Sequence, residues 1–340
     1  MQRPKIPNPF DAMKVGPSAD TSDTNELKEA GLVTDPPPHV SFAIKTPPPS
    51  LVAAIKEVLP LVPAAPVERL SSPPVVKMVA IDLDGTLLND SKKISDLTIQ
   101  SLSQLRQCGV RVVIATARPP RSVRHIYSKL GLDTLQVNYN GAVIWDEPRR
   151  EAVFHRPMAG LLVREIIAQA RSTYADLLCS CEVMDRWYTD RHDPQYTTET
   201  GRMFKPDVVC SIDEICSMPI TKLMFLGHPE LISAIEPIVA SHFLNRVSVI
   251  RADQDLIQIM DRRVSKAVAV QKIAQHYHVP MSQVMAIGDA PNDVAMLQTA
   301  GVAIAVSNAH DRVKSVAHWV APSNNDHGVH AALVRYGLAE

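Results

Sequence analysis

The chain is punctuated by short, wholly apolar runs, each ending in a glycine or in polar residues and several followed by a stretch with helical spacing. Met78 to Ile81 is the first of them. Such runs suit strands of a sheet that is covered on both faces. Ser95 is placed to cap a helix reaching Gln107, and Gly109 to stop it. Val110 to Ala115 predicts a second buried strand, and a helix from Ser122 to Leu130 follows, closed by Gly131. This alternation predicts an α/β fold built on a parallel, doubly wound sheet.

Val137 to Ile144 continues the series and leads into a hairpin reaching Phe154. From Pro157 the rhythm changes. A helix is expected over Leu161 to Arg171 and another over Pro229 to Ser241. Strands are expected at Trp187 to Thr189, Leu223 to Leu226, Val247 to Ile250 and Leu256 to Met260. The first pattern resumes with a helix from Lys266 toward Tyr277, then strands at Val284 to Ile287, Val302 to Val306 and Trp319 to Val320. The expected organisation is one α/β domain, 75–156 with 261–340, interrupted by a second α/β unit, 157–260. Residues 1–74 stand apart, because they hold 15 of the 27 prolines. They read as an extended, mostly disordered arm of unassigned partner, with a short amphipathic helix at Leu51 to Leu61 and no secretory apolar core.

Composition narrows the picture. A 340-residue chain with 46% hydrophobic residues and net charge -1 can bury a sizeable core and has no electrostatic reason to bind nucleic acid or an anionic membrane. It has no apolar stretch long enough for a transmembrane helix. The five cysteines, Cys108, Cys179, Cys181, Cys210 and Cys216, have neither zinc-site spacing nor an even number. A reducing cytoplasm is the expected compartment.

The candidate chemistry sits where apolar runs end, and ligands of doubly wound sheets bind at the carboxyl ends of strands. Asp82 and Asp84 follow the first run. Residues two apart on a strand share a side, so the two carboxylates are expected to converge, with a cation such as Mg2+ between them. Thr116 ends the second run, Lys266 opens a helix, and Asp289, Asn292 and Asp293 follow the run at Val284 to Ile287. Each has a plainer use. Asp82 and Asp84 fit a solvated turn, Thr116 and Asp289 fit helix caps, Asp293 fits a first helical turn and Lys266 fits the surface.

Asp82-Leu83-Asp84-Gly85-Thr86, Thr116-Ala117-Arg118-Pro119, Lys266 and Gly288-Asp289-Ala290-Pro291-Asn292-Asp293 occur in that order, with Asn140-Gly141-Ala142 between the second and third. Over about 75–340 the chain resembles the Cof-type phosphatases of the haloacid dehalogenase superfamily. The resemblance implies a Rossmann-like core with an inserted α/β cap and an Mg2+-dependent phosphatase acting on a small phosphorylated metabolite, such as a sugar phosphate. It implies that Asp82 is the nucleophile and forms an aspartyl-phosphate, and that Asp84 is the acid and base. Asp82, the backbone carbonyl of Asp84 and Asp289 would hold Mg2+. Leu83 and Ala117, through backbone N–H groups, and Thr116, Lys266 and Asn292 would hold phosphoryl oxygens. Arg118 and Asn140 would add substrate contacts, and Asp293 would support Lys266 or a metal-bound water.

Convergence of this many groups is what the chemistry demands. Hydrolysis of a phosphate monoester calls for accelerations up to ~10^21-fold, and single groups supply only about 3–4 kcal/mol each. Two departures stand out. Ala117 replaces a usual glycine, and Ser307-Asn308-Ala309 replaces Gly-Asn-Ala. A phosphomutase or phosphotransferase would use the same residues. A phospho-acceptor signalling module would need neither Asp84 nor a cap.

Overall fold

The computed structural model describes residues 75–193 and 205–340. The proline-rich arm 1–74 and its expected helix lie outside the described residues. From Val75 the chain enters strand β1 (Met78–Ile81), every residue of which is buried. Helix α1 (Asp96–Gln107) is capped by Ser95, whose hydroxyl accepts from the Thr98 N–H at 3.3 Å. Its stop at Gly109 adopts φ +76, a left-handed conformation that glycine reaches without a Cβ clash. Strand β2 (Arg111–Ile114) and helix α2 (Pro120–Leu130) follow, the latter closed by left-handed Gly131. Helix α2 starts two residues earlier than expected because Pro120 supplies a pre-set φ at a position whose N–H needs no partner.

The expected run from Val137 to Ile144 is not one strand. Strand β3 (Gln136–Asn138) is separated from β4 (Val143–Asp146) by a turn in which Tyr139, Asn140 and Gly141 all have positive φ. Strand β5 (Glu151–His155) completes a small antiparallel sheet, β3-β4-β5.

The chain then builds helix α3 (Gly160–Arg171), strands β6 (Leu178–Val183), β7 (Arg186–Thr189) and β8 (Val208–Val209), helix α4 (Ile212–Ile215), strand β9 (Lys222–Leu226), helix α5 (Pro229–His242), and strands β10 (Val247–Asp253) and β11 (Leu256–Asp261). Their sheet has the order β10-β11-β9-β6-β7-β8 and is antiparallel except for β7 with β8. Its two faces differ. Cys179, Cys181, Leu223, Phe225, Ile257 and Ile259 pack into a core with Val163, Ile166 and Ile167 of α3 and Ile232 and Ile235 of α5. Leu178, Trp187, Met224, Leu226 and Leu256 form a separate cluster. Residues of the two sets alternate along each strand, as the two-residue period of a strand requires.

Helix α6 (Lys266–His276), strand β12 (Val284–Gly288), helix α7 (Val294–Thr299), strand β13 (Val302–Val306), helix α8 (Asp311–Lys314), strand β14 (Trp319–Ala321) and helix α9 (Gly328–Arg335) return to the first layer. The parallel sheet is ordered β14-β13-β12-β1-β2. Strand β1 therefore lies between β12 and β2, with Ile81 in register with both Ile287 and Ile114. That register brings the ends of three strands together. Burial of Ile81, Ile114 and Ile287 contributes about 1.5–3 kcal/mol each and holds those ends in place.

Candidate active site

The chain leaves the sheet one residue after Ile81. The Asp82 N–H donates to the Ile287 carbonyl at 2.9 Å, which carries the sheet's pairing just past β1. The Asp82 carboxylate is buried and accepts from the Lys266 ammonium at 2.5 Å. Lys266 also donates to Asp293 Oδ1 at 2.7 Å. Asp293 Oδ2 in turn accepts from the N–H groups of Asp289 and Ala290 at 3.1 and 3.0 Å. Lys266 opens helix α6, where the helix dipole disfavours a cation; two carboxylates offset that cost. Asp289 Oδ1 accepts from the Thr86 hydroxyl at 2.6 Å.

Two glycines make this packing feasible. Gly85 has φ +79, and a Cβ there would lie 2.5 Å from Asp289 Oδ2. A Cβ on Gly288 would lie 2.6 Å from Asp293 Cβ. At Gly141, also with positive φ, a Cβ would meet the Ser265 carbonyl at 2.3 Å. The turn after β3 thus packs directly against the start of the Lys266 helix. It also places Asn140, whose Oδ1 accepts from Asn292 Nδ2 at 2.8 Å.

The carboxylates of Asp82 and Asp84, expected to converge, take different partners. Asp84 lies beyond the strand, in the turn that Gly85 permits, and its carboxylate goes elsewhere. Arg118 donates to both of its oxygens, Nε to Oδ2 at 2.6 Å and a second guanidinium nitrogen to Oδ1 at 2.5 Å, and Lys92 adds a bond at 2.8 Å. The carboxylates gathered with Asp82 are those of Asp289 and Asp293, whose nearest oxygens lie within 4.8 Å of one another. The Asp84 backbone carbonyl is a separate group from this carboxylate.

Thr116 is buried at the end of β2, and its hydroxyl accepts from the Arg118 N–H at 3.1 Å. Leu83 is buried, while Ala117 and Arg118 line a cavity of about 200 Å³ together with Asp84. Its other lining residues include Glu182, Trp187, Lys222 and Met224 of the second sheet. Asn308, from the departing Ser307-Asn308-Ala309, donates to the Gly85 carbonyl at 2.7 Å and so buttresses the turn after Asp84.

The electrostatics separate these groups. Burial pushes the Asp82 carboxyl well above the usual carboxylate range; Lys266 opposes this, while Asp293 and Asp289 add to it. Burial likewise raises Asp289, with the Thr86 hydroxyl opposing and Asp293 reinforcing. For Lys266, burial disfavours the charge, but Asp82 and Asp293 outweigh it and raise its pKa. At Asp84 burial is also unfavourable, yet the hydrogen bonds from Arg118 and Lys92 win and hold the carboxyl below the usual range. Three clustered carboxylates face a single ammonium. That surplus of buried negative charge, on oxygen ligands alone, fits a hard divalent cation.

Several residues near the site were not singled out from sequence. Thr86 and Lys92 bind Asp289 and Asp84. Arg121 donates to both Glu182 oxygens, at 2.8 and 2.7 Å, and the Tyr139 hydroxyl donates to Glu182 at 3.1 Å. Asp185 accepts from the Arg121 N–H at 2.7 Å, capping α2 from the second sheet's β6–β7 turn. The arginines follow directly after the Thr116 motif, but their partners come from about sixty residues further on, and no local signal pairs them.

The comparisons with known proteins agree with this geometry. A family model described as haloacid dehalogenase-like hydrolase matches residues 79–333. The 5-amino-6-(5-phospho-D-ribitylamino)uracil phosphatase YitU of Bacillus subtilis is 31% identical over 264 residues, covering 76% of this chain and 97% of its own. The phosphatase YwpJ of the same organism is 27% identical, covering 75% and 97%. A crystal structure of a haloacid dehalogenase-like hydrolase from Bacteroides thetaiotaomicron superposes with a TM-score of 0.69 at 23% identity, covering 76% of this chain and 99% of that one, a likeness of fold. With three-quarters of its length matched by the family model, this chain belongs to the haloacid dehalogenase-like hydrolases.

Proposed function

We propose that the protein is an Mg2+-dependent phosphatase that hydrolyses a small phosphorylated metabolite through an aspartyl-phosphate on Asp82. The observation that carries this reading is the buried cluster of Asp82, Asp289 and Asp293 around one lysine at the carboxyl end of β1, two residues before Asp84, which lines a cavity with Ala117 and Arg118. Relatives such as YitU and the HMP-PP phosphatase of Yersinia pseudotuberculosis are named as phosphatases of small phosphorylated compounds, which supports the same reading.

In this reading Asp82 and Asp289 carry the oxygens that would hold Mg2+, with the Asp84 carbonyl. The ion, when bound, offsets the charge of the transferring phosphoryl group. An Asp82 oxygen attacks phosphorus as the bond to the leaving oxygen breaks. Asp84 delivers a proton to that oxygen, then takes one from the water that attacks the aspartyl-phosphate, releasing inorganic phosphate and restoring Asp82. Asp84 is clamped by Arg118 in the structure and cannot donate a proton there. Phosphoryl oxygens compete for the same guanidinium, so substrate binding frees Asp84 for its task. Lys266, Thr116, Asn292 and the N–H groups of Leu83 and Ala117 hold the remaining oxygens. Asp293 orients Lys266, and Asn140 orients Asn292. The segment 157–260 acts as the cap that covers the leaving group, and free thiols at all five cysteines suit a reducing compartment.

The test is steady-state release of inorganic phosphate from a panel of phosphorylated metabolites. Activity should require Mg2+, vanish with EDTA and fall by about a hundredfold or more in Asp82→Asn. Turnover of Asp82→Asn within tenfold of wild type would overturn the nucleophile assignment. Loss of substrate without inorganic phosphate would mean transfer to another hydroxyl.

A further inference from the structure

Glu182 and Lys222 face each other across strands β6 and β9. An ammonium and a carboxylate so placed would ordinarily pair. Here both Glu182 oxygens are bound by Arg121, and Tyr139 adds a third bond. Lys222 is only 4% exposed. Its ammonium makes no hydrogen bond or ion pair among the described residues. Its Nζ lies 5.2 Å from the centroid of the Tyr139 ring. Burial pulls its pKa down, Glu182 opposes that and Arg121 adds to it. A desolvated ammonium with no acceptor is costly to keep. Yet this one lines the cavity that also holds Asp84, Ala117 and Arg118 of the phosphoryl end.

The rest of that lining is mixed. Trp187, Met224 and Leu256 present an apolar surface, and Gln258, Asp253 and Asp255 are the polar residues beside them. The Trp187 indole N–H is already taken by Ser180 Oγ at 2.5 Å, so the side chain offers the cavity carbon surface, not a donor. We infer that Lys222 is a specificity residue, and that the leaving group it selects is a ring with apolar faces and an oxygen acceptor that takes the Lys222 ammonium. An acyclic polyol would put hydroxyls against Trp187, Met224 and Leu256 with no partner for them.

This inference rests on the phosphatase reading above, and three substrates separate the two. Acetyl phosphate is too short to reach Lys222 and reports on the phosphoryl end alone. Pyridoxine 5′-phosphate carries a flat ring with an oxygen acceptor, and glucitol 6-phosphate is an acyclic polyol. The wild type should favour pyridoxine 5′-phosphate over glucitol 6-phosphate by tenfold or more in kcat/KM. Lys222→Met should raise KM for pyridoxine 5′-phosphate at least tenfold, change its kcat less than threefold, and leave acetyl phosphate hydrolysis within twofold. Equal losses on all three substrates would make Lys222 structural, and no change on pyridoxine 5′-phosphate would remove it from recognition. A wild-type preference for glucitol 6-phosphate would overturn the ligand class without need of any variant. Failure to hydrolyse even acetyl phosphate would instead strike the phosphatase reading itself.

Discussion

The protein carries two buried charge clusters, one at the end of the parallel sheet and one on the second sheet, and they are built differently. At the end of the parallel sheet, Asp82, Asp289 and Asp293 surround one lysine, so negative charge is in excess. On the second sheet, Arg121 takes both Glu182 and Asp185, and the Lys222 ammonium is left without a hydrogen-bond acceptor among the described residues. Buried charge of one sign is unfavourable unless something from outside completes it. The first cluster asks for a cation, and Lys222 of the second asks for an acceptor oxygen. The clusters also differ in backbone. The first cluster hangs on strand ends and helix starts whose positions the core fixes. The second lies at the end of β6 and the start of β9 and reaches the first layer through side chains of α2 and the strained turn at Tyr139.

The sharpest way to break the comparison is Lys266→Met. It removes the one cation of the first cluster and a donor to the phosphoryl group, so kcat/KM should fall about 10^2–10^3-fold. Because the surplus of negative charge grows, Mg2+ should raise the Tm of this variant by more than it raises that of wild type, as thermal melts with and without Mg2+ would show. An equal rise in both proteins would mean the carboxylates do not act as a charge-surplus metal site.

Glu182→Gln attacks the other cluster. It breaks the buried ion pair of Arg121 and removes the negative charge opposite Lys222, and breaking such a pair costs about 3 kcal/mol or more. For a protein of this size that lowers Tm by roughly 6–12 °C. Acetyl phosphate turnover below the melting range should stay within a few-fold, since no group at the phosphoryl end is touched. A Tm unchanged from wild type would show that Asp185 alone holds Arg121.

Lys222→Met should have a smaller effect, of the opposite sign. The folded state disfavours the charged lysine, so removing it should raise Tm by about 2–4 °C at neutral pH, the equivalent of roughly 1 kcal/mol. The pH dependence has a definite sense. The Lys222 pKa is lower in the folded than in the unfolded state, so the penalty is full below the folded pKa and fades as pH rises toward the ordinary 10.5. The advantage of the variant should therefore shrink on the alkaline side. A variant less stable than wild type at pH 7 would mean that Lys222 is already paired.

The smallest effect is expected from removing residues 1–74. No candidate site residue lies in that arm, so a chain starting at Val75 should keep its kcat within twofold. A tenfold loss with an unchanged circular dichroism spectrum would place part of the arm at the site.

Much of the first cluster was legible in the sequence because its residues sit at punctuation. Asp82 follows an apolar run, Lys266 opens a helix, and Asp289 and Asp293 follow another apolar run, so element ends alone place them near one sheet edge. The second cluster was not legible. Strand β6 escaped notice because Leu178, Ser180 and Glu182 alternate with Cys179 and Cys181. Its polar positions face a cavity instead of solvent, and cysteine is a weak hydrophobic marker. The apolar series from Val137 to Ile144 looked continuous, because a reversal of φ at Tyr139 and Asn140 leaves no sign in hydrophobicity.

The sequence by itself determined the α/β class, the order along the chain of the parallel-sheet strands and which carboxylates stand at strand ends, because periodicity and punctuation are local properties of a chain. Only the tertiary structure decided which partner each charge takes. Asp84 belongs to Arg118 and Lys92 instead of converging with Asp82, and Glu182 belongs to Arg121 instead of the lysine opposite it. Those choices depend on strand register, on a glycine that can turn where no other residue fits, and on burial that makes an unpaired charge costly. None of the three is a property of neighbouring residues in the chain.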